Sequence, residues 1–171
     1  MFIRCYYHIG KKKRVWLVFE KFCSMAQDNG YYFFKYCMEQ LPKEKKQHIY
    51  YILDTDSADY DKMKQYGKHV IPFMSFRHIL YSLVANLYIA SDSKKHLYTW
   101  RAKPNVISNR ISKHNILFLQ HGVTALKRVH PIFGMKGSSP MTHFTTTSRF
   151  EHKIIVENFG YEDGDAPILG F

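Results

Sequence analysis

The chain has 171 residues, of which 46% are hydrophobic and 16% aromatic. This composition is typical of one globular domain with a packed core, and it excludes an intrinsically disordered chain. The longest apolar stretch, residues 79–90, is interrupted by polar residues and falls short of the roughly 20 residues that a membrane-spanning helix needs. The formal net charge is +11, and all 25 Lys and Arg lie within residues 1–153. Such an excess favours a polyanionic partner: nucleic acid, an anionic membrane surface or a phosphate-rich polymer.

Residues 1–13 form a predicted basic tail ahead of a single domain over residues 14–171. The basic run at residues 11–14 follows the short apolar patch, whereas a secretory signal carries its charge first. We therefore expect a cytoplasmic protein. Its three cysteines (Cys5, Cys23 and Cys37) form no C-x-x-C pair, which favours reduced and mostly packed thiols.

Apolar, β-rich runs alternate with helix-like stretches along the chain. In chain order, residues 15–19 predict a strand, 31–40 a helix, 48–53 a strand, and the segment up to Gly67 a short helix. A strand at 70–71, a helix at 76–84 and a strand at 87–90 follow, and then a polar, basic stretch at 91–115 without a clear element. Residues 116–119 predict a strand, 134–140 a loop, 142–147 a strand, 148–158 a helix and 168–169 the start of another strand.

Strands that alternate with helices predict an α/β fold, a Rossmann-like parallel sheet with helices on both faces. Folds of this kind place their chemistry at the carboxyl ends of the strands. Residues that directly follow the predicted strands are therefore the first candidates for a site.

The strongest candidate is the segment that follows the strand at 116–119, which reads Gln-His-Gly and then, five residues on, Lys-Arg. A neutral His121 at a strand end is suited to removing a proton from an alcohol near neutral pH. Gly122 permits a tight turn and close approach of a ligand, and Lys127 and Arg128 are suited to binding a phosphate. The alternative is that His121 is one of ten histidines and is simply hydrogen-bonded at the strand end.

Two further segments lie where a predicted strand or loop leads into a helix. Asp28, Asn29 and Gly30 face the same edge of the sheet, either as a binding segment or as a plain helix cap. Ser148 and Glu151 match a capping box that opens the helix at 148–158. A helix start of this kind is also able to bind an anion.

The Asp54-Thr55-Asp56 run after the second predicted strand is of a type that holds a metal and a sugar nucleotide in one large class of glycosyltransferases. Those folds place several nucleotide-binding strands before the motif, and only two precede it here. Asp59 and Asp61 extend the run in the way that a solvated loop or a helix start would. No metal site is therefore expected.

Taken in order, the motifs resemble those of the CDP-glycerol glycerophosphotransferase family, the teichoic-acid polymerase type, and the resemblance covers the chain from about Arg14 to its end. The matching pieces are Val15-Trp16-Leu17 with Glu20, Ala26-Gln27-Asp28-Asn29-Gly30, Phe33-Phe34-Lys35-Tyr36, Tyr88-Ile89-Ala90-Ser91, Phe118-Leu119-Gln120-His121-Gly122 with Lys127, Thr145-Thr146-Thr147-Ser148 with Glu151, and Ile168-Leu169-Gly170-Phe171.

The resemblance implies one half of a GT-B arrangement, in which two Rossmann-like halves face a cleft. This chain would be the N-terminal, acceptor-side half, and it stops before the nucleotide-binding half, inside the segment where the family continues into an Arg-x-Asp motif. The reaction implied is transfer of glycerol phosphate from CDP-glycerol to the terminal hydroxyl of a teichoic-acid-type acceptor, with His121 as general base. The donor would be bound mainly by the missing half, so this half needs no cofactor, and alone it would be inactive because half a cleft cannot hold both substrates in line.

The implied partners are a polyanionic glycerol-phosphate acceptor, the C-terminal donor domain and an anionic membrane surface, with the protein peripheral at the inner face of the cell membrane. The main alternative is a non-catalytic truncated module that binds anionic polymer or membrane. Nucleic-acid binding is not expected, because it would rest on charge and aromatic content alone and no recognisable nucleic-acid motif is present.

Overall fold

Six strands form one sheet in the computed structural model, which describes residues 14–99, 105–120, 122, 124 and 128–170. All neighbouring strands are parallel, and their order is β3-β2-β1-β4-β5-β6. This is the order of a Rossmann-like doubly wound fold, and it confirms the predicted fold class. The strands are β1 (Trp16–Phe19), β2 (Ile49–Leu53), β3 (Val70–Pro72), β4 (Leu87–Ala90), β5 (Asn115–Phe118) and β6 (His143–Phe144).

Helices connect successive strands, as right-handed parallel crossovers require. The described α-helices are α1 (Asn29–Gln40), α2 (Lys43–Lys46), α3 (Tyr60–Met63), α4 (Phe76–Val84), α5 (Val106–Ser112), α6 (His130–Phe133) and α7 (Arg149–Phe159). Short 3-10 helices lie at Lys21–Cys23, Lys64–His69, Lys94–Leu97 and Asp163–Asp165.

The sheet is buried on both faces, so its central strands are continuously apolar. Along β1, Leu17 and Phe19 belong to one core cluster and Val18 to the other. Phe34 of α1 packs in the cluster with Val18, whereas Ile155 of α7 packs in the cluster with Leu17 and Phe19. The two clusters place helices on both faces, as the alternating pattern predicts.

The structure corrects three sequence predictions. The strand predicted at residues 142–147 shortens to the two residues of β6. The hydroxyls of the three threonines that follow donate hydrogen bonds to Phe118 at the end of β5, to Pro167 and to Glu151 of α7. The strand predicted at 168–169 is a single bridge between Thr146 and Ile168. The stretch at 91–115 contains α5 and a 3-10 helix.

The predicted basic tail at residues 1–13, and Cys5 within it, lie outside the described residues. Cys23 and Cys37 are buried thiols. Burial raises the pKa of Cys37 to about 11, which keeps that thiol protonated and unreactive at neutral pH. Within the described part of the chain, no helix has the length and apolar character needed to cross a bilayer.

Candidate functional site at the carboxyl edge of the sheet

The loops that follow β1, β4, β5 and β6 meet at the carboxyl edge of the sheet. Because all six strands are parallel, this edge collects the residues that come directly after each strand. Glu20 follows β1, Ser91 follows β4, Gln120 lies two residues past β5, and Thr145 follows β6. The edge contains both of the fully buried carboxylates among the described residues, Glu20 and Glu151.

The side chain of Glu20 lies at the N-terminus of α1. Its carboxylate accepts hydrogen bonds from the backbone N–H groups of Gln27 (2.9 Å), Asp28 (3.0 Å) and Tyr31 (2.6 Å). Burial raises the pKa of Glu20, and these three hydrogen bonds oppose that rise. The carboxylate therefore sits where a bound anion would sit at a helix N-terminus.

The Asp28-Asn29-Gly30 segment is a helix cap in the structure. Asp28 is the N-cap of α1, and its side chain accepts a hydrogen bond from the backbone N–H of Asn29 at 2.8 Å. A Cβ atom on Gly30 would lie 3.0 Å from Cγ and 3.2 Å from Oε1 of Glu20. The glycine is thus needed because the protein's own carboxylate approaches the helix closely.

Asn29 connects this cap to the candidate catalytic segment. Its side-chain amide donates a hydrogen bond to the backbone carbonyl of Gln120, the residue that precedes His121 in the chain. The contact joins the loop after β1 to the loop after β5, 91 residues apart in sequence. Asn29 therefore contacts the residue that directly precedes His121 in the chain.

Glu151 anchors the other end of the same segment. Its Oε1 accepts hydrogen bonds from the Gln120 amide (3.0 Å) and from the backbone N–H (2.8 Å) and hydroxyl (2.7 Å) of Thr124. Its Oε2 accepts from the backbone N–H and the hydroxyl of Thr147, both at 2.8 Å. Burial acts to raise the pKa of Glu151, but the hydrogen bonds from Thr124 and Thr147 outweigh it and hold the pKa below its usual value.

The predicted capping box is half confirmed. Ser148 caps α7 by accepting a hydrogen bond from the backbone N–H of Glu151 at 3.2 Å. The Glu151 carboxylate does not return to Ser148 but reaches Thr147 and, across the fold, Thr124. The Glu151 carboxylate therefore mainly joins segments that are distant in sequence, a role that the local motif does not reveal.

The described residues of the His-Gly-Lys-Arg motif are Gly122 and Arg128, because His121 and Lys127 lie outside the described residues. Gly122 is partly buried, and a Cβ atom added to it would meet nothing within 4 Å. It does not adopt the left-handed conformation, so neither backbone strain nor packing requires a glycine here. Arg128 is exposed just ahead of α6.

A histidine and an aspartate that the sequence analysis did not identify lie at the same edge. The His96 imidazole stacks on the Phe22 ring, with centroids 3.9 Å apart, and its Nδ1 lies 3.0 Å from a carboxylate oxygen of Asp92. Phe22 and Cys23 have φ values of 55° and 57°, which is strained for residues other than glycine. The sequence feature that could have indicated this pair is the position of Asp92, two residues after the end of β4.

The aspartates considered as metal ligands have other partners. Asp59 accepts hydrogen bonds from the Ala26 N–H and the Gln27 amide, both at 2.9 Å, and it pairs with Lys62 at 2.8 Å. Asp54 accepts a hydrogen bond from the backbone N–H of Asp56 within its own turn. Over the residues that the structure describes, no group of three or more His, Cys, Asp or Glu is arranged to hold a metal ion.

A parallel six-stranded sheet with its anchored loops at the carboxyl edge defines a Rossmann-like α/β domain. The chain superimposes on two variants of the wall teichoic acid polymerase TagF with TM-scores of 0.53 and 0.54, covering 97% and 96% of this chain and 42% of each TagF chain. Sequence identity in these pairs is 11% and 9%, so this likeness shows the fold alone.

The sequence relationship is more specific. The chain is 31% identical over 168 residues to the minor teichoic acid biosynthesis protein GgaB of Bacillus subtilis (strain 168). The match covers 95% of this chain and 17% of GgaB, so the chain spans about one sixth of that relative. No protein-family profile matches the chain. Homology to GgaB confirms the resemblance to teichoic acid biosynthesis proteins that the motifs indicate, and the likeness to TagF confirms the fold.

Proposed function

We propose that the chain is the acceptor-side domain of a transferase that moves glycerol phosphate from CDP-glycerol to the terminal hydroxyl of a teichoic-acid-type acceptor. One observation carries the proposal: the segment that includes His121 is held at Gln120 by Asn29 and at Thr124 by Glu151. A segment held on both sides by side chains from other parts of the fold has the kind of support that a catalytic side chain needs. The homology to GgaB, a teichoic acid biosynthesis protein, supports this class of reaction.

In this reaction His121 is the general base. Its neutral imidazole takes the proton from the acceptor hydroxyl, and that oxygen attacks the β-phosphate of CDP-glycerol. A new P–O bond forms to the acceptor, the bond to CMP breaks, and the product is a phosphodiester that extends the acceptor by one unit. Catalysis of this kind rests on positioning and charge stabilisation.

Phosphate binding on the acceptor side is assigned to Gly122, Lys127 and Arg128. The open space around Gly122 allows the backbone to approach a ligand closely. The exposed Arg128 presents a fork of N–H donors that matches a phosphate. The cytidine nucleotide is assigned to a second Rossmann-like domain across a GT-B cleft, and no cofactor is assigned to this half.

The net charge of +11 supports a polyanionic acceptor and a peripheral position at the inner face of an anionic membrane. Each Lys or Arg that lies close to such a surface contributes about 1 kcal/mol to the free energy of membrane binding. Position at the membrane would keep the domain close to a growing, membrane-linked acceptor.

The test is CMP release by the full-length protein from CDP-glycerol, with a glycerol-phosphate oligomer as acceptor. His121→Ala should reduce turnover by about 10²–10⁴-fold, the range expected for loss of a general base. The matched control is His130→Ala, which alters an exposed histidine at the start of α6 and should leave turnover unchanged. Retained turnover in His121→Ala would contradict the assignment.

The same proteins test the alternative of a non-catalytic binding module. That alternative predicts no CMP release by the wild type, together with salt-sensitive binding of poly(glycerol phosphate) that His121→Ala leaves unaltered. Measurement of both quantities therefore separates a transferase from a binding module.

A further inference from the structure

A pocket lies at the opposite, amino edge of the sheet, between the ends of α4 and α5 and the starts of β4 and β5. Its volume is about 340 Å³, within the roughly 300–1,000 Å³ common for small-molecule sites. It is lined by Val84, Ala85, Asn86, Arg110, Lys113, His114 and Asn115. None of these residues takes part in the site at the carboxyl edge.

The lining is cationic and rich in hydrogen-bond donors. Arg110 and Lys113 carry positive charge, Asn86 and Asn115 carry amides, and no carboxylate occurs among the described residues that line the pocket. Burial lowers the pKa of His114 to about 4, with the positive charge of Arg110 as the next cause. His114 is therefore neutral at physiological pH, so the positive charge of the lining comes from Arg110 and Lys113.

The wall that carries these cations is held by a partly buried lysine. Lys94 donates hydrogen bonds from Nζ to the carbonyls of Ser112 (3.1 Å) and His114 (2.6 Å). This ties the turn between α5 and β5 to the loop after β4. Asn86 is oriented as well, because its Oδ1 accepts a hydrogen bond from the Val15 N–H at 2.8 Å, which leaves the amide nitrogen as its donor end.

We infer that this pocket binds a phosphate group, as a phosphate monoester or diester. Arg110 supplies a planar fork of donors and Lys113 a mobile point charge, the two complementary ways in which proteins hold phosphate. The amides of Asn86 and Asn115 add neutral donors at the rim. The inference is independent of the proposed transferase reaction, because the site lies at the other edge of the sheet and shares none of its residues.

Two sources supply this chemistry, a free phosphate ester and a lipid headgroup, and the probes distinguish them. The 171-residue chain is titrated with inorganic phosphate and with sn-glycerol 3-phosphate, with binding followed by NMR. It is also mixed with vesicles of phosphatidylglycerol in phosphatidylcholine and with vesicles of phosphatidylcholine alone, with binding followed by sedimentation. Circular dichroism checks that each variant is folded.

The test variant is Arg110→Gln/Lys113→Gln, and the control is Lys43→Gln/Lys68→Gln, which removes the same charge from exposed positions outside the pocket. Loss of two charged donors should weaken binding at least about tenfold, and the control should change it little. Should the double variant fail to fold, Lys113→Gln alone alters an exposed side chain and should weaken binding in the same direction.

Selective loss with the soluble esters supports a site for free phosphate, and selective loss only with phosphatidylglycerol vesicles supports a headgroup site. Equal loss in the test and control variants would overturn the inference, because binding would then follow net charge alone. Absence of binding to every probe would overturn it as well. Neither binding assay depends on CMP release, so failure of this inference can be distinguished from failure of the transferase assignment.

Discussion

Replacement of Glu151 by Gln tests whether this carboxylate holds the loop after β5. The wild-type carboxylate accepts five hydrogen bonds, three on Oε1 and two on Oε2. An amide keeps one acceptor oxygen and turns an NH₂ group toward donors on the other side. One backbone N–H, of Thr124 or Thr147, then loses its partner at a cost of about 1–3 kcal/mol, and the remaining bonds lose their charge assistance.

We expect Glu151→Gln to lower the free energy of unfolding by about 2–4 kcal/mol at pH 7. The assay is urea unfolding followed by circular dichroism, with the slope m compared between variants. Glu157→Gln is the matched control, because Glu157 lies on the same helix and forms an exposed pair with Lys153 at 3.8 Å. Such a pair contributes about 0.5 kcal/mol or less.

The effect should also depend on pH in a defined direction. The pKa of Glu151 is lowered in the folded protein from its usual 4.5, so its stabilisation is complete above pH 4.5 and is lost as the pH falls through the folded pKa. The difference between wild type and Glu151→Gln should therefore be constant near neutrality and shrink in acid. A difference under about 0.5 kcal/mol at pH 7, the size of a surface substitution, would refute the anchoring role.

Two further predictions concern the cap and the loop. Gly30→Ala should destabilise the fold by about 1–3 kcal/mol in urea unfolding, because the added Cβ would lie 3.0 Å from a Glu20 side chain that three hydrogen bonds hold in place. Gly122→Ala is the control and should change stability by less than about 0.5 kcal/mol. Equal effects of the two substitutions would contradict the packing argument. Asn29→Ala removes the hydrogen bond to the Gln120 carbonyl and should lower kcat for CMP release. The same substitution should lower the free energy of unfolding by only about 0.5–1.5 kcal/mol. An unchanged kcat would show that the contact does not position the loop.

The sheet could be predicted from the sequence because its strands are buried on both faces. β1, β2 and β4 each read as an unbroken run of apolar and aromatic residues, and β5 does so after Asn115. A run of that length between helix-like segments has few other interpretations. β6 could not be predicted correctly. The β-branched threonines that follow it satisfy strand propensity, but in the fold the hydroxyls of Thr145 and Thr147 donate hydrogen bonds to Phe118 of β5 and to Glu151 of α7.

The candidate site was predictable only in part. Its position followed from the rule that parallel sheets work at their carboxyl edge, and the capping roles of Asp28 and Ser148 followed from local sequence. The anchoring roles of Asn29 and Glu151 depend on contacts across 91 and 27 residues, which no local pattern encodes. The roles assigned to His121 and Lys127 remain predictions.

The two buried carboxylates have a consequence for ligand recognition. Glu20 holds three backbone amides at the start of α1, and Glu151 holds those of Thr124 and Thr147. The conformational entropy of these loop anchors is therefore lost during folding, and an arriving substrate has less ordering left to bring about. Amide hydrogen exchange at these positions should be slow already without substrate, and substrate should slow it little further. Selectivity for one anion over another is then determined by the long cationic side chains around these loops. Those side chains can change in evolution while the anchored loops keep their conformation.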